Sequence, residues 1–202
     1  MTPKLKSNAL VIFVKNARRG HVKSRLASSV GEDKALSIYL ALCERVRSVC
    51  LDFSGKCYVY YSDYIPSEPD LWEDDFFIKR KQYSVADLGL RMKAAFNELL
   101  PVHSSVRLIG TDIPHLSTDL LEASILYLKN TDVILGPSDD GGYYLIGMKK
   151  TNDYLFNNMT WSIDTVLSET IQRISMNNKT YHLLKTLPDI DTADDWEKHG
   201  WF

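Results

Sequence analysis

Apolar runs of strand length alternate along this chain with segments of helical period. The first run, "ALVIFV" (9–14), is apolar without alternation, which is typical of a strand buried on both faces of a sheet. In residues 32–51, apolar side chains recur three and four positions apart, as one buried face of a helix requires. This alternation predicts an α/β sheet with helices on its faces.

The same two patterns continue to the end of the chain. Residues 62–75 hold two prolines and many acids, and they are predicted to form a loop. Ser162 is predicted to N-cap a late helix that buries Leu167 and Ile174. Further helices are predicted in "ADLGLRMKAAFNELL" and around Leu121, Ile125 and Leu128. Further strands are predicted at "CYVYY", "FFIK", "SVRLIG", "DVILG", "YYLIG" and "TYHLLK". No repeat or linker interrupts the 202 residues, so a single domain over residues 1–202 is predicted.

Composition excludes several classes of protein. The 45% hydrophobic and 25% charged content is that of a soluble globular protein with a sizeable core. A net charge of -2 argues against a general nucleic-acid-binding or membrane-surface role, and the first apolar run is too short to span a membrane. The three cysteines form no C-x-x-C pair, which predicts reduced, buried thiols in a cytoplasmic protein.

The charge is unevenly distributed. Residues 1–31, which include Lys4, carry seven Lys and Arg and no Asp or Glu, whereas residues 189–202 carry five acidic residues and one lysine. A basic and an acidic segment suit a site that binds both phosphate groups and a metal ion. They equally suit two chain ends that attract each other.

Three polar loops follow apolar strands directly, and strand ends are where an open α/β sheet binds ligands. The first loop is "KNARRGHVKSRL" (15–26), in which arginine forks and lysine charges match phosphate oxygens; the alternative is a solvated basic loop. The cations predicted to bind phosphate are Lys15, Arg18, Lys23 and Arg25.

The second loop, "GTDIPHL" (110–116), places Asp112 just past a buried strand. Asp112 is a plausible ligand of Mg²⁺ or Mn²⁺, although an Asx-turn or a helix cap explains it equally well. In the tail "LPDIDTADDW" (187–196), Asp189 and Asp191 alternate and would point the same way in extended backbone, so we favour metal ligation for both. Thr192 is expected to N-cap a short final helix.

The third loop lies within "LGPSDDGGYYLIG" (135–147). Asp139 or Asp140 is predicted to orient an acceptor hydroxyl or to act as its base, and which of the two faces inward stays open. Gly141 and Gly142 are predicted to let a substrate approach bare backbone. On alternating strand positions only one of Tyr143 and Tyr144 is expected to face a ligand. Two further residues of a predicted acceptor site are Trp161, for which packing is an equal alternative, and Ser162.

Together these segments resemble a known family. "KNARRGHVKSRL", "GTDIPHL", "VILGPSDDGGYYLIG", "WSIDTVL" and "LPDIDTADDW" occur in the order seen in an uncharacterised bacterial family of GT-A (nucleotide-diphospho-sugar transferase) type, labelled as an arsenosugar-biosynthesis glycosyltransferase. That family is similar to the guanylyltransferases of molybdopterin and deazaflavin cofactor synthesis. The resemblance departs at "KNARRG", where the family has a proline-rich loop, and before "DLG", where relatives are glycine-rich.

The resemblance implies a Rossmann-like three-layer sandwich with a mixed, mostly parallel sheet and the nucleotide over the first strand's loop. It implies a divalent metal on Asp112, joined by Asp189 and Asp191 as in the deazaflavin relatives. The predicted function is metal-dependent glycosyl transfer from a nucleotide sugar to a small-molecule acceptor. Nucleotidyl transfer with pyrophosphate release is the alternative, followed by a non-catalytic binding module. The oligomeric state, with a homodimer as one option, stays open.

Overall fold

A seven-stranded sheet forms the centre of the protein in the computed structural model, which describes residues 6–202. Lys4 of the basic N-terminal segment lies outside the described residues. The strands are β1 Asn8–Val14, β2 Lys56–Tyr61, β3 Phe77–Lys81, β4 Ser105–Ile109, β5 Val133–Pro137, β6 Tyr143–Met148 and β7 Tyr181–Leu183. The helices are α1 Ser24–Val30, α2 Glu32–Leu51, α3 Leu88–Leu99, α4 Thr118–Tyr127, α5 Val166–Met176 and α6 Ala193–His199.

The strand order is β3-β2-β1-β4-β6-β5-β7. Strand β6 runs antiparallel to both of its neighbours, β4 and β5, and every other pairing in the sheet is parallel. Strands β1, β4 and β5 therefore end at the same edge, where β6 begins. This arrangement confirms the predicted α/β fold with a mixed, mostly parallel sheet.

Each face of the sheet is covered by helices, which gives three layers. On one face, Leu10 and Ile12 of β1 pack in a core with residues of α2 and α4. On the other face, Ala9 and Val11 pack with Phe96 of α3 and with residues of α5. Because successive strand residues point to opposite faces, an unbroken apolar run such as β1 is what a strand covered on both sides requires.

Most local predictions are confirmed. Residues 62–75 contain no helix or strand, and Cys43, Cys50 and Cys57 are all free and buried. Thr192 caps α6 in a reciprocal capping box with Asp195. None of the helices in the described part of the chain combines the length and apolar character needed to cross a bilayer.

The predicted helix cap at Ser162 is wrong. Helix α5 begins at Val166 after Thr165, which makes no side-chain capping hydrogen bond. Ser162 lies three residues further back with φ of +64°, in the left-handed region, and its side chain is exposed. A residue in that conformation is not part of the helix, so Ser162 belongs to the loop that precedes α5.

Candidate active site

The carboxyl ends of β1, β4 and β5 surround a cleft of about 880 Å³. Residues from all three predicted loops and from the acidic tail line it, because the parallel strands deliver those loops to one edge of the sheet. The four predicted phosphate-binding cations and the three predicted metal ligands all line this cleft: Lys15, Arg18, Lys23, Arg25, Asp112, Asp189 and Asp191.

Lys23 connects three of these segments. Its side chain is only 5% exposed, and its Nζ lies 2.6 Å from Oδ1 of Asp112 and 3.7 Å from Oδ1 of Asp191. The same ammonium donates to the carbonyl oxygen of Ile190. The backbone of Lys23 has φ of 50° and ψ of 49°, a conformation that costs a non-glycine residue roughly 1 kcal/mol. Such strain persists only where the surrounding contacts enforce it, and it clusters at functional sites.

The carboxylates around Lys23 exceed the cations that compensate them. Burial, followed by the negative charges of Asp140, Asp191 and Asp112, raises the pKa of Asp189 to about 6. Besides Lys23, Arg25 contributes a positive charge: its Nη1 lies 3.1 Å from Oδ2 of Asp191. A surplus of carboxylate oxygen in a cleft is the donor chemistry that Mg²⁺ and Mn²⁺ prefer.

The present side-chain positions do not form a complete metal cage. Within residues 6–202, no three His, Cys, Asp or Glu side chains are arranged to hold a metal ion together. The surplus of hard oxygen donors fits a divalent cation, whereas the ammonium of Lys23 now lies beside two of them. The assignment of Asp112, Asp189 and Asp191 as metal ligands therefore stays a prediction.

The basic loop after β1 is held in place by contacts with α2 and with the loop after β2. The hydroxyl of buried Tyr39 donates to the carbonyl of Lys15 and accepts from its amide, both at 2.8 Å. Arg18 pairs with Asp63, its Nη2 lying 2.7 Å from Oδ2. These contacts fix the loop backbone, while the ammonium of Lys15 is exposed at the cleft.

The third loop separates its two aspartates. Asp140 lines the cleft, and its Oδ1 accepts from Ser138 Oγ at 2.5 Å and from the amide of Gly142 at 2.9 Å. Asp139 is exposed and lies outside the cleft lining. Asp140, rather than Asp139, is thus placed where it can reach a substrate.

The predicted reason for Gly141 is wrong. Its φ is +84°, and a Cβ there would lie 2.0 Å from the carbonyl oxygen of Asp164. The bare backbone of Gly141 thus accommodates the chain's own Asp164, and its carbonyl accepts from the amide of Leu167. Gly142, by contrast, lines the cleft, and the approach of a substrate to its backbone stays a prediction.

Two of the predicted acceptor residues, Tyr143 and Trp161, lie on the side of the cleft that α3 and α5 cover. Both tyrosines line the cleft: Tyr144 is buried and donates to the carbonyl of Lys185 at 3.1 Å, whereas Tyr143 is partly exposed but its hydroxyl is buried and has no hydrogen-bond partner among the described residues. Trp161 packs so closely on Gly89 that a Cβ there would lie 2.6 Å from its Cζ2, and it also lines the cleft. Trp161 thus has the packing role, and its contact with an acceptor stays a prediction. Ser162 lines the cleft as well.

Sequence reasoning missed Asn16 as a structural residue. It is 5% exposed; its Oδ1 accepts from the amide of Asp63 at 3.0 Å and its Nδ2 donates to the carbonyl of Tyr64 at 2.9 Å. Asn16 thus ties the loop after β1 to the loop after β2. A buried asparagine immediately after a strand gave no sign of which segment it would bind.

Arg91 and Gln82 were also missed. Nη1 of Arg91 donates to Oε1 of Gln82 at 3.0 Å, and both residues line the cleft. Arg91 lies three positions after Leu88 and four before Ala95, on the inward-facing side of α3. A charged residue at a core-facing helical position is the sequence signal that could have found it.

Sequence comparison gives the family. The profile described as "Uncharacterized protein conserved in bacteria (DUF2064)" matches residues 47–163, more than half of the chain. The chain belongs to this family. The match to DUF2064 includes the loops of Asp112 and Asp140. Lys23 and the acidic tail lie outside the matched residues. No curated protein is significantly similar to it in sequence.

Solved structures agree with the fold. A protein of Desulfovibrio desulfuricans G20, provisionally named a nucleotide-diphospho-sugar transferase, has 27% identity and a TM-score of 0.83, over 93% of this chain and 84% of its own. A nucleotidyl transferase of Methanothermobacter thermautotrophicus has 13% identity and a TM-score of 0.68, over 95% of both chains. Rv0371C of Mycobacterium tuberculosis H37Rv, solved with manganese, has 14% identity and a TM-score of 0.56, over 95% of this chain and 97% of its own. At 13% and 14% identity, the last two similarities establish the fold alone.

Proposed function

We propose that this DUF2064 protein is a divalent-metal-dependent transferase that uses an activated nucleotide, and that it transfers a glycosyl group from a nucleotide sugar to a small acceptor. The observation that carries the proposal is the contact of buried Lys23 with Asp112 and Asp191 at the carboxyl ends of β1 and β4. Its cation and carboxylates come from three separate segments that the fold delivers to one cleft. The resemblance to the Desulfovibrio protein supports the choice of a nucleotide sugar as donor.

The cations of the loop after β1 would bind the diphosphate of the donor. Lys15, Lys23 and Arg25 line the cleft together and would neutralise the charge that develops on the leaving group. Asp112, Asp189 and Asp191 would hold Mg²⁺ or Mn²⁺, which supplies further charge neutralisation at the phosphates. With such an ion on the carboxylates, the ammonium of Lys23 would be available to phosphate oxygens.

Asp140 would act on the acceptor. Its contacts with Ser138 and Gly142 fix its carboxylate at the cleft. There it would accept the proton of an acceptor hydroxyl while the acceptor oxygen forms a bond to the sugar carbon and the bond from that carbon to the diphosphate breaks. The products are the glycosylated acceptor and a nucleoside diphosphate.

Nucleotidyl transfer is the second candidate. In that reaction an acceptor phosphate attacks the α-phosphorus of a nucleoside triphosphate and pyrophosphate leaves. The "KSRL" segment that carries Lys23 resembles the phosphate-binding segment of nucleotidyltransferases, and the buried ammonium beside Asp112 favours a heavily charged polyphosphate. The arsenosugar label of the family and a cytoplasmic location stay predictions.

One binding experiment and one product assay test these proposals. We expect nucleotide sugars or nucleoside triphosphates to raise the melting temperature in the presence of Mn²⁺ or Mg²⁺, with about 2.7 kcal/mol of stabilisation at 100 times the dissociation constant. Asp112→Asn should lose the metal-dependent part, whereas the exposed control Asp75→Asn should retain it. Release of a nucleoside diphosphate would identify glycosyl transfer, and release of pyrophosphate nucleotidyl transfer. Failure of every nucleotide to stabilise the protein with either metal would overturn the transferase proposal.

A further inference from the structure

Arg91 is a half-buried cation without a salt-bridge partner in the described part of the chain. The other two arginines of the cleft, Arg18 and Arg25, each pair with an aspartate. For Arg91, no carboxylate oxygen of residues 6–202 lies within 4.0 Å, and its buried Nε has no hydrogen-bond partner. Asp87, whose negative charge acts on Arg91 through space, accepts from the amide of Leu90 at 2.7 Å and caps α3. Buried charges in proteins are normally paired, so a missing partner calls for an explanation.

The guanidinium of Arg91 is held in position by a neutral residue. Gln82 is 4% exposed, and its Oε1 accepts from Nη1 of Arg91 at 3.0 Å. The Nε2 of Gln82 donates in turn to the carbonyl of Tyr60 at 2.9 Å and to that of Val14 at 3.4 Å. The backbone ends of β1 and β2 thereby orient the arginine without neutralising it, and its Nη2, which donates to no atom of residues 6–202, is the fork nitrogen left for a ligand at the cleft.

The wall of the cleft around Arg91 is apolar. Phe13, Met92, Leu108 and Ile146 line it on the face of the sheet that α3 covers. Burial there lowers the pKa of the guanidinium, because the apolar wall disfavours its charge. A neutral partner such as a nucleobase would leave that charge uncompensated, whereas an anionic oxygen group would both pair with it and accept two parallel hydrogen bonds.

We propose that Arg91 binds a carboxylate or phosphate group of the acceptor, on the α3 side of the cleft. This inference rests on the proposed function, in which the donor phosphates are bound by the cations that precede α2. Arg91 comes from the helix on the opposite face of the sheet, so one cleft holds two separate cationic centres. The substrate class that fits is a small anionic acceptor with an apolar body.

The test is an anion titration followed by thermal unfolding at constant ionic strength. Sodium phosphate and sodium acetate are the probes, each added to the protein alone and to the protein saturated with its best-stabilising nucleotide. The variants are Arg91→Gln, Arg91→Lys and the control Arg80→Gln, an exposed arginine on β3 that pairs with Glu98. We expect Arg91→Gln to raise the apparent dissociation constant of the preferred anion, obtained from the rise in melting temperature, by about 10- to 100-fold. Arg80→Gln should leave that constant unchanged. The anion that raises the melting temperature identifies the group that Arg91 binds.

Several outcomes would overturn the proposal. They are an absent anion response in the wild-type protein, an unchanged response in Arg91→Gln, or loss of nucleotide stabilisation in Arg91→Gln, which would assign Arg91 to the donor site. If Arg91→Gln fails to fold, Arg91→Lys decides, because a lysine keeps the charge without the planar fork and must bind the anion several-fold more weakly. If no nucleotide binds but the anion response depends on Arg91, the proposed function fails and the anion site stands.

Discussion

The Nζ of Lys23 lies 2.6 Å from Oδ1 of Asp112, and this contact joins the loop after β1 to the loop after β4. The lysine is almost fully buried, whereas the carboxylate is 45% exposed at the cleft. The pair thus has one end inside the protein and the other where a ligand can reach it. A cation that enters the cleft would compete with the ammonium for the same carboxylate.

Replacing Lys23 by methionine should therefore destabilise the protein and increase the stabilisation that a divalent metal gives it. We expect a loss of about 1–3 kcal/mol in urea unfolding at pH 7, less than for a fully buried pair because Asp112 is half exposed. Since Asp112 and Asp191 would lose their nearest cation, Mg²⁺ should stabilise Lys23→Met more than the wild type. The exposed Lys34 of α2 provides the control, Lys34→Met. Equal stability of Lys23→Met and the wild type would mean that the contact contributes nothing.

Gly141 should not tolerate a side chain. Its φ of +84° disfavours any other residue, and the added Cβ would lie 2.0 Å from the carbonyl oxygen of Asp164. We expect Gly141→Ala to lose more than about 2 kcal/mol of unfolding free energy, because backbone must move to relieve the clash. Gly110 also lines the cleft, but a Cβ there meets nothing within 4 Å, so Gly110→Ala should be neutral within about 1 kcal/mol. Similar costs for the two variants would refute this explanation.

The fold could be predicted because the hydrophobic pattern follows from burial. An unalternating run such as "ALVIFV" has few uses other than a doubly covered strand, and β1 is one. Convergence of the three loops then follows from the common direction of β1, β4 and β5. The cleft itself was thus predictable, together with the residues that its loops carry.

The finer details depend on contacts that no local pattern encodes. Ser162 and Thr165 are both good capping residues, and residue type alone could not decide between them; neither caps α5 with its side chain. The need for glycine at position 141 comes from Asp164, 23 positions away, rather than from a substrate. Asp140 is distinguished from Asp139 by the hydrogen bonds of Ser138 and Gly142 and by its place in the cleft lining, neither of which residue type encodes.

Asn16 should be required for the shape of the basic loop. Its side chain satisfies the amide of Asp63 and the carbonyl of Tyr64, and Asn16→Ala would leave both without these partners. We expect a loss of about 1–3 kcal/mol in unfolding free energy and faster hydrogen exchange at the amide of Asp63. The exposed Asn97 of α3 supplies the matched control, Asn97→Ala, which should change neither quantity. Unaltered exchange at Asp63 in Asn16→Ala would show that the two loops hold together without this residue.

His103 should make the protein sensitive to mild acid. It is 7% exposed, its Nε2 lies 2.8 Å from the hydroxyl of Tyr58, and burial lowers its pKa below the usual value. The unfolded chain therefore binds a proton at His103 more readily than the folded chain, so its contribution to stability is complete above about pH 6.5 and is lost as the pH falls below that value. Between pH 7.5 and pH 5.5, the wild type should therefore lose more unfolding free energy than His103→Gln does. His21→Gln, which changes an exposed histidine, should follow the wild type. If His103→Gln shows the same pH dependence as the wild type, another group is responsible for it.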